Sequence, residues 1–183
     1  MQKSLPALPK VFAISFIAGI LLFSGFAMTT YGESDGGVLL FEEYFEAKPV
    51  YGYGIRRSLA ADLSDTDASI LRQGISYHQQ ADYDLAIVSF RAFLESNPEP
   101  ADDQPLLLAA TAAIATGHYA EGMDYLDEIT EDDSETGTAA NWHQALLHLR
   151  KGNNAAALAE LQRVKQARAG RAYPTARLLE AIR

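Results

Sequence analysis

With 183 residues, 48% of them hydrophobic and 10% aromatic, the chain holds enough apolar material for one modest core and is not a disordered polymer. Fifteen Lys and Arg against 24 Asp and Glu give a net charge of -9, which sets aside nucleic-acid binding, because phosphate contacts need a basic face. The absence of cysteine removes disulfides, thiolate metal sites, cysteine nucleophiles and lipid-modified cysteine. It leaves the compartment open, since a domain of this size folds on its apolar core without staples.

Residues 11–28 carry no charge. One reading is a secretory signal cut near Gly25, Phe26 and Ala27. The other is a membrane span, which needs about 20 residues; the run continues through Thr29 and Thr30 to an interfacial Tyr31. The length favours a retained transmembrane helix over residues 11–30. Lys3 and Lys10 precede it and the next basic residue is Lys48, so the positive-inside bias puts residues 1–10 in the cytoplasm and everything after Tyr31 outside it. Both readings export the rest of the chain.

Residues 32–37 read as a polar tether. The stretch GVLLFEEYFEA follows, with Val38, Leu39, Phe41 and Phe45, and Leu40 beside them, on one face of a short helix expected to pack under the first helical unit. Pro49, Gly52 and Gly54 then interrupt any helix, giving an extended strap to residue 66. From 67 to 183 the pattern is helical throughout, with helices expected at about 68–80, 83–96, 104–116, 118–130, 138–151, 154–168 and 174–182. Asp67 reads as an N-cap, Pro105 as a first-turn residue, and Gly117 and Gly152 as left-handed helix ends. No alternating β-branched run competes, so the expected fold class is all-α.

Sliding the chain against itself aligns ADYDLAIVSF, GHYAEGMDYL and GNNAAALAEL. Ala86, Gly122 and Ala157 fall in register, 36 and then 35 residues apart, and so do Phe90, Leu126 and Leu161 one turn later on the same face. Small residues let two helices of a hairpin approach closely, and periods of this size mark helical solenoids. In the first unit Gly74, Tyr77, Ala86, Phe90 and Pro98 stand where the tetratricopeptide repeat carries its signature, while Gln73 and Phe93 depart from it. The second unit keeps Gly117, Tyr119 and Gly122, with Ala110 and Ala113 in its first helix; the third has Trp142, Ala145, Gly152, Ala157 and Leu161, with Asn154 replacing the usual Tyr. The chain therefore resembles the tetratricopeptide repeat family over residues 67–183. With its N-terminal segment, the FEEYFEAKP stretch and a final YPTARLLEAI helix, it is also similar to bacterial membrane-anchored envelope proteins of that family.

The resemblance implies an N-terminal transmembrane helix, then a short α-solenoid of about three helical hairpins and a C-terminal capping helix. It also implies a concave face that binds a protein or peptide. Carried over by position, that groove takes Leu71, Ile75, His78 and Gln79 from the first unit, Leu107, Thr111 and Ile114 from the second, and Trp142, Leu146, Leu149 and Arg150 from the third. Trp142 reads equally as a packing residue.

Candidate chemistry is sparse. His78, His118, His143 and His148 show no metal-protease spacing, and His78 reads as a groove contact or, with more weight, a solvated histidine. The run at 131–135 lacks the alternate ligand spacing and central glycine of a calcium loop and reads as a solvated turn. No nucleophile elbow or phosphate cradle occurs, so neither an enzyme, a metal, a cofactor nor a small-molecule substrate is expected.

Charge divides the exported part. Residues 31–135 hold 22 acidic and five basic residues, and residues 136–183 hold two acidic and eight basic. Arg163, Lys165, Arg168, Arg171 and Arg177 offer a basic docking end, with solubilisation the competing reading.

Two functions are consistent with these features: a membrane-tethered scaffold for protein–protein interaction in the periplasm, or an accessory structural subunit of a larger inner-membrane complex. For the second, Ala13, Ser15, Ala18, Gly19 and Gly25 give the span small-residue faces. A hydrolase hidden in the repeats lacks a motif to support it.

Overall fold

Short turns bounded by capping residues cut the second half of the chain into paired helices. The computed structural model describes residues 35–48, 63–130 and 134–182. Among these, α1 is Asp35–Tyr44, α2 Asp65–Gln79, α3 Tyr83–Ser96, α4 Gln104–Ala115, α5 Tyr119–Asp127, α6 Glu135–Arg150 and α7 Asn154–Gln166. A 3-10 turn at Arg168–Ala172 and α8, Thr175–Ala181, complete the order, and no strand occurs among the described residues. The expected span at residues 11–30 and most of the expected strap lie outside the described residues. No helix among the described residues is long and apolar enough to cross a membrane.

Three hairpins result: α2 with α3, α4 with α5, and α6 with α7. The expected helix limits hold to within a turn, but the first cap differs. Ser64, not Asp67, is the N-cap of α2: its Oγ accepts the Asp67 N–H at 3.1 Å and donates to Asp67 Oδ2 at 2.7 Å. This reciprocal arrangement satisfies an orphan helix donor and extends the helix back to Asp65. Ser134 caps α6 in the same way through Gly137 N–H at 2.8 Å, so the acidic run does not remain a turn to its end; Glu135 is already helical.

The small residues close each hairpin. Ala86, Gly122 and Ala157 are buried, and one turn later Phe90, Leu126 and Leu161 are fully enclosed. A Cβ on Gly122 would come within 2.5 Å of Ile114 Cγ1 and 3.2 Å of the Ala110 carbonyl, and one on Gly74 within 2.9 Å of the Phe90 ring. Helix α4 runs through the centre with every residue from Pro105 to Ile114 buried, as its all-round apolar sequence anticipates. The repeat also reaches the turns, because Ala81, Gly117 and Gly152 share the same register and all three have positive φ, at 60°, 83° and 72°.

The short N-terminal helix does not pack under the first hairpin. Helix α1 lies instead on α6, the first helix of the third. Its Phe41 enters the cluster that holds Leu107, Ile114, Trp142, Leu146 and Leu149, with Leu40, Tyr44 and Phe45 against the cluster's edge. Leu39, expected on the inner face, points to solvent at 66% exposure. Its Cβ direction is set by helical rotation from Phe41, two residues on.

Two backbone-level outcomes follow. Gly122→Leu destabilises the fold by about 3 kcal/mol through overpacking against Ile114, and Ala86→Leu and Ala157→Leu by about 1–3 kcal/mol each. Ala81→Gly gains about 0.5–1 kcal/mol, because it relieves the left-handed strain of a side chain while adding glycine's smaller entropic cost. Urea denaturation of the four variants against the parent measures both.

Candidate functional site

The positions that the repeat pattern assigns to a groove come from the first helix of each hairpin. Nine of them are buried: Leu71, Ile75, His78, Leu107, Thr111, Ile114, Trp142, Leu146 and Leu149. Gln79 is exposed and Arg150 half-buried. Neighbouring helices cover this face. Leu71 and Ile75 pack into a cluster with Phe90 and Phe93 of α3 and Leu108 and Ala112 of α4.

His78 is not solvated. Its Nε2 lies 2.9 Å from Thr111 Oγ1. The Thr111 hydroxyl also lies 3.0 Å from the Leu107 carbonyl, so it bridges the His78 ring and the backbone of α4. The ring also meets Tyr83 edge-on at 5.1 Å. Burial pushes its pKa down to about 4, since a charged imidazole there would lose its hydration.

The third hairpin carries an aromatic assembly that the sequence reading did not join up. Trp142, the only tryptophan in the chain, packs between Tyr44 of α1, with ring centroids 6.4 Å apart, and Tyr173 beyond the 3-10 turn, at 5.1 Å. Phe45 meets His143 at 5.7 Å, and Phe41 stacks on Phe45 at 5.1 Å and meets Tyr119 edge-on at 5.7 Å. The Arg150 guanidinium lies 5.4 Å from the Phe41 ring centroid and 4.2 Å from that of Tyr119, within cation–π range of both. The only sequence signal for this assembly was the spacing of Phe41, Tyr44 and Phe45 at i, i+3 and i+4; nothing local named the helix they would meet. His143 is buried, Nδ1 has no hydrogen-bond partner among the described residues, and burial lowers its pKa to about 4.

A second feature joins the first two hairpins. Arg91 of α3 grips Glu121 of α5 with both arms, at 2.6 and 2.5 Å, and the Tyr125 hydroxyl donates to the same carboxylate at 3.2 Å. The hydrogen bonds from Arg91 hold the Glu121 carboxyl below its usual range, while burial and then Glu121 push Tyr125 up to about 12. The pair is partly exposed, with side chains 39% and 28% accessible, so it contributes on the order of 1 kcal/mol at most. It borders a cleft of about 840 Å³ walled by Leu94, Pro98 and Leu106 and rimmed by Glu95, Glu99 and Glu128.

The remaining candidates stand apart. Leu85 and Val88 on α3 are exposed apolar residues at 45% and 59%. Arg163, Lys165, Arg168, Arg171 and Arg177 are all exposed at the C-terminal end, Arg163 pairing with Glu160 at 3.2 Å. His118 is exposed, its Nδ1 2.9 Å from Thr116 Oγ1, and His148 is half-buried. Among the described residues no group of His, Cys, Asp and Glu is placed to hold a metal ion.

Antiparallel helix pairs crossing on small residues, stacked with a 35- to 36-residue period, define a helical-hairpin repeat protein. Residues 68–100 match the family model of the tetratricopeptide repeat, and this stretch is the first hairpin with its turn. Residues 68–100 are thus a tetratricopeptide repeat, which is generally a non-catalytic interaction module. No curated protein matches the chain, and no solved structure does.

Trp142 is buried between Tyr44 and Tyr173, so Trp142→Ala lowers stability by about 3–5 kcal/mol in urea denaturation. The buried histidines set an acid limit as well. Both are neutral in the fold with pKa values near 4, against about 6.5 unfolded, so between those values the unfolded chain binds more protons. Their contribution is fully present above pH 6.5 and is lost as pH falls towards 4, with a slope of up to about 1.4 kcal/mol per pH unit for each histidine. Unfolding free energies measured at pH 7, 6, 5 and 4 show this decline, and His143→Leu makes it shallower.

Proposed function

We propose that the chain is a scaffold for protein–protein interaction, held at a bacterial inner membrane by residues 11–30 with its repeats on the periplasmic side. The observation that carries the interaction role is the stack of three hairpins whose first matches the tetratricopeptide repeat. A solenoid of this kind presents extended helical surfaces rather than an enclosed catalytic pocket. The tether and its orientation are supported by the uncharged run at 11–28 with Lys3 and Lys10 before it. Trp142 and Arg150 are of the residue types enriched at binding hot spots, and both lie beneath or beside α1.

A second reading, an accessory subunit built into a larger inner-membrane complex, is favoured by one feature: Ala13, Ser15, Ala18, Gly19 and Gly25 make small-residue faces suited to packing against other spanning helices.

Detergent extraction followed by affinity purification at low and high salt separates the two readings. The scaffold reading expects a partner that high salt releases; a stoichiometric set of membrane proteins surviving both conditions supports the subunit reading. On the same material, the intact N-terminus is expected by mass spectrometry. A new terminus near Met28 contradicts the tether, and protection of the C-terminus from protease in spheroplasts contradicts the orientation.

A further inference from the structure

We infer that two copies of this chain pair along one edge of the stack, the basic end of each seated in the acidic cleft between the first two hairpins of the other. The inference goes beyond the role proposed above and needs neither its tether nor its partner.

The edge is defined by the ends of the second helices. Around the end of α3 the chain reads ESNPEPADD and around the end of α5 DEIT, with six carboxylates and no basic residue between them. At the same place in the third hairpin, around the end of α7, it reads RVKQARAGR, with four basic residues and no acid. Second helices of stacked hairpins run in the same direction. The three ends therefore share an edge that is acidic, acidic and basic in turn.

The acidic part is concave. Leu94, Pro98 and Leu106 wall the cleft of about 840 Å³, which gives the aliphatic stems of Lys and Arg an apolar bed while their charged heads reach the rim. Its charge is not neutralised from within, because Arg91, which lines it, is held by Glu121. Asp103 accepts the Thr130 N–H at 3.1 Å and Asp127 accepts from Gln144 Nε2 at 2.7 Å, which braces the walls. Glu95, Glu99 and Glu128 stay exposed, with no ion pair among the described residues.

The basic part projects and is rigidly held. Arg163 faces Glu160 at 3.2 Å, whereas Lys165, Arg168 and Arg171 are exposed with no ion pair among the described residues. In a 3-10 turn, side chains three residues apart lie one above the other, so Arg168 and Arg171 present their guanidinium groups side by side. The turn is clamped to α7, since a Cβ on Gly170 would run into the Val164 carbonyl. Guanidinium groups so placed suit exposed carboxylates. Within one copy no ion pair joins the two patches among the described residues. Two copies laid antiparallel bring each cleft to the other's basic end, a two-fold arrangement in which every contact is made twice and the assembly closes.

The test is sedimentation equilibrium of the full chain in a nonionic detergent at about 50 mM and about 500 mM salt. Two triple variants accompany the parent: Glu95→Lys, Glu99→Lys and Glu128→Lys at the cleft, and Lys165→Glu, Arg168→Glu and Arg171→Glu at the basic end. All six positions are exposed, and far-UV circular dichroism establishes that the helices persist. The expected result is a parent dimer at low salt that parts at high salt. Each variant alone self-associates at least about tenfold more weakly, since like charges then face each other. An equimolar mixture of the two variants pairs as tightly as the parent, because reversed cleft meets reversed basic end and native cleft meets native basic end.

A parent that stays monomeric, variants that pair as the parent does, a mixture that pairs no better than its components, or growth beyond two copies overturns the inference. If the parent does not pair and reversing the cleft instead releases the partner retained in the purification above, the cleft belongs to a basic partner, and the second copy is overturned as its occupant.

Discussion

The structure depends on the close crossing of two helices over a small residue. At Gly122 the space beside the backbone is already taken by Ile114 and the Ala110 carbonyl, and at Ala86 and Ala157 a single methyl fills it. Such a crossing sets the interhelical distance and aims the next turn's large residue, Phe90, Leu126 or Leu161, into the space between helices. Repeating it every 35 to 36 residues aligns the hairpins, so α4 is enclosed from all sides and becomes the centre of the stack. The left-handed turn is part of the same device: Ala81, Gly117 and Gly152 reverse the chain at one register, and the sequence tolerates alanine at the first of them at the cost of strain.

A stack this short leaves the first helix of its last hairpin without a further repeat to cover it. Helix α1 supplies that cover in the third hairpin, bringing Phe41, Tyr44 and Phe45 over Trp142, His143 and Arg150. A chain segment early in the sequence thus closes a surface made more than ninety residues later.

Most of the architecture was legible in the residues because hairpin crossings are local: the small and large positions that meet, such as Gly74 with Phe90 and Gly122 with Ile114, lie within one hairpin, and both leave a periodic trace. Helix limits followed for the same reason, from caps and left-handed glycines. The cap at Ser64 was missed because Ser64 and Asp67 both suit the role, and only their mutual hydrogen bonding shows that they act together. The positions assigned to a groove lie in the first helix of each hairpin, and nine of them are buried. Position in a repeat says which face a side chain shares, not what lies on that face, and here α4 and α1 lie on it. His78 illustrates the point, since its partner Thr111 comes from the next hairpin. The docking of α1 was illegible because it is a contact between distant segments joined by residues with no periodic signal; FEEYF announces an amphipathic helix and not its address.

The account turns on whether α1 occupies the α6 face, and the single tryptophan makes that contact directly observable. A nuclear Overhauser spectrum of the full chain in detergent reports which aromatic rings lie next to the Trp142 indole. The structure, with ring centroids at 6.4 Å for Tyr44 and 5.1 Å for Tyr173, predicts cross-peaks to both. Cross-peaks to Tyr173 alone, in a chain whose repeats are folded, would contradict it.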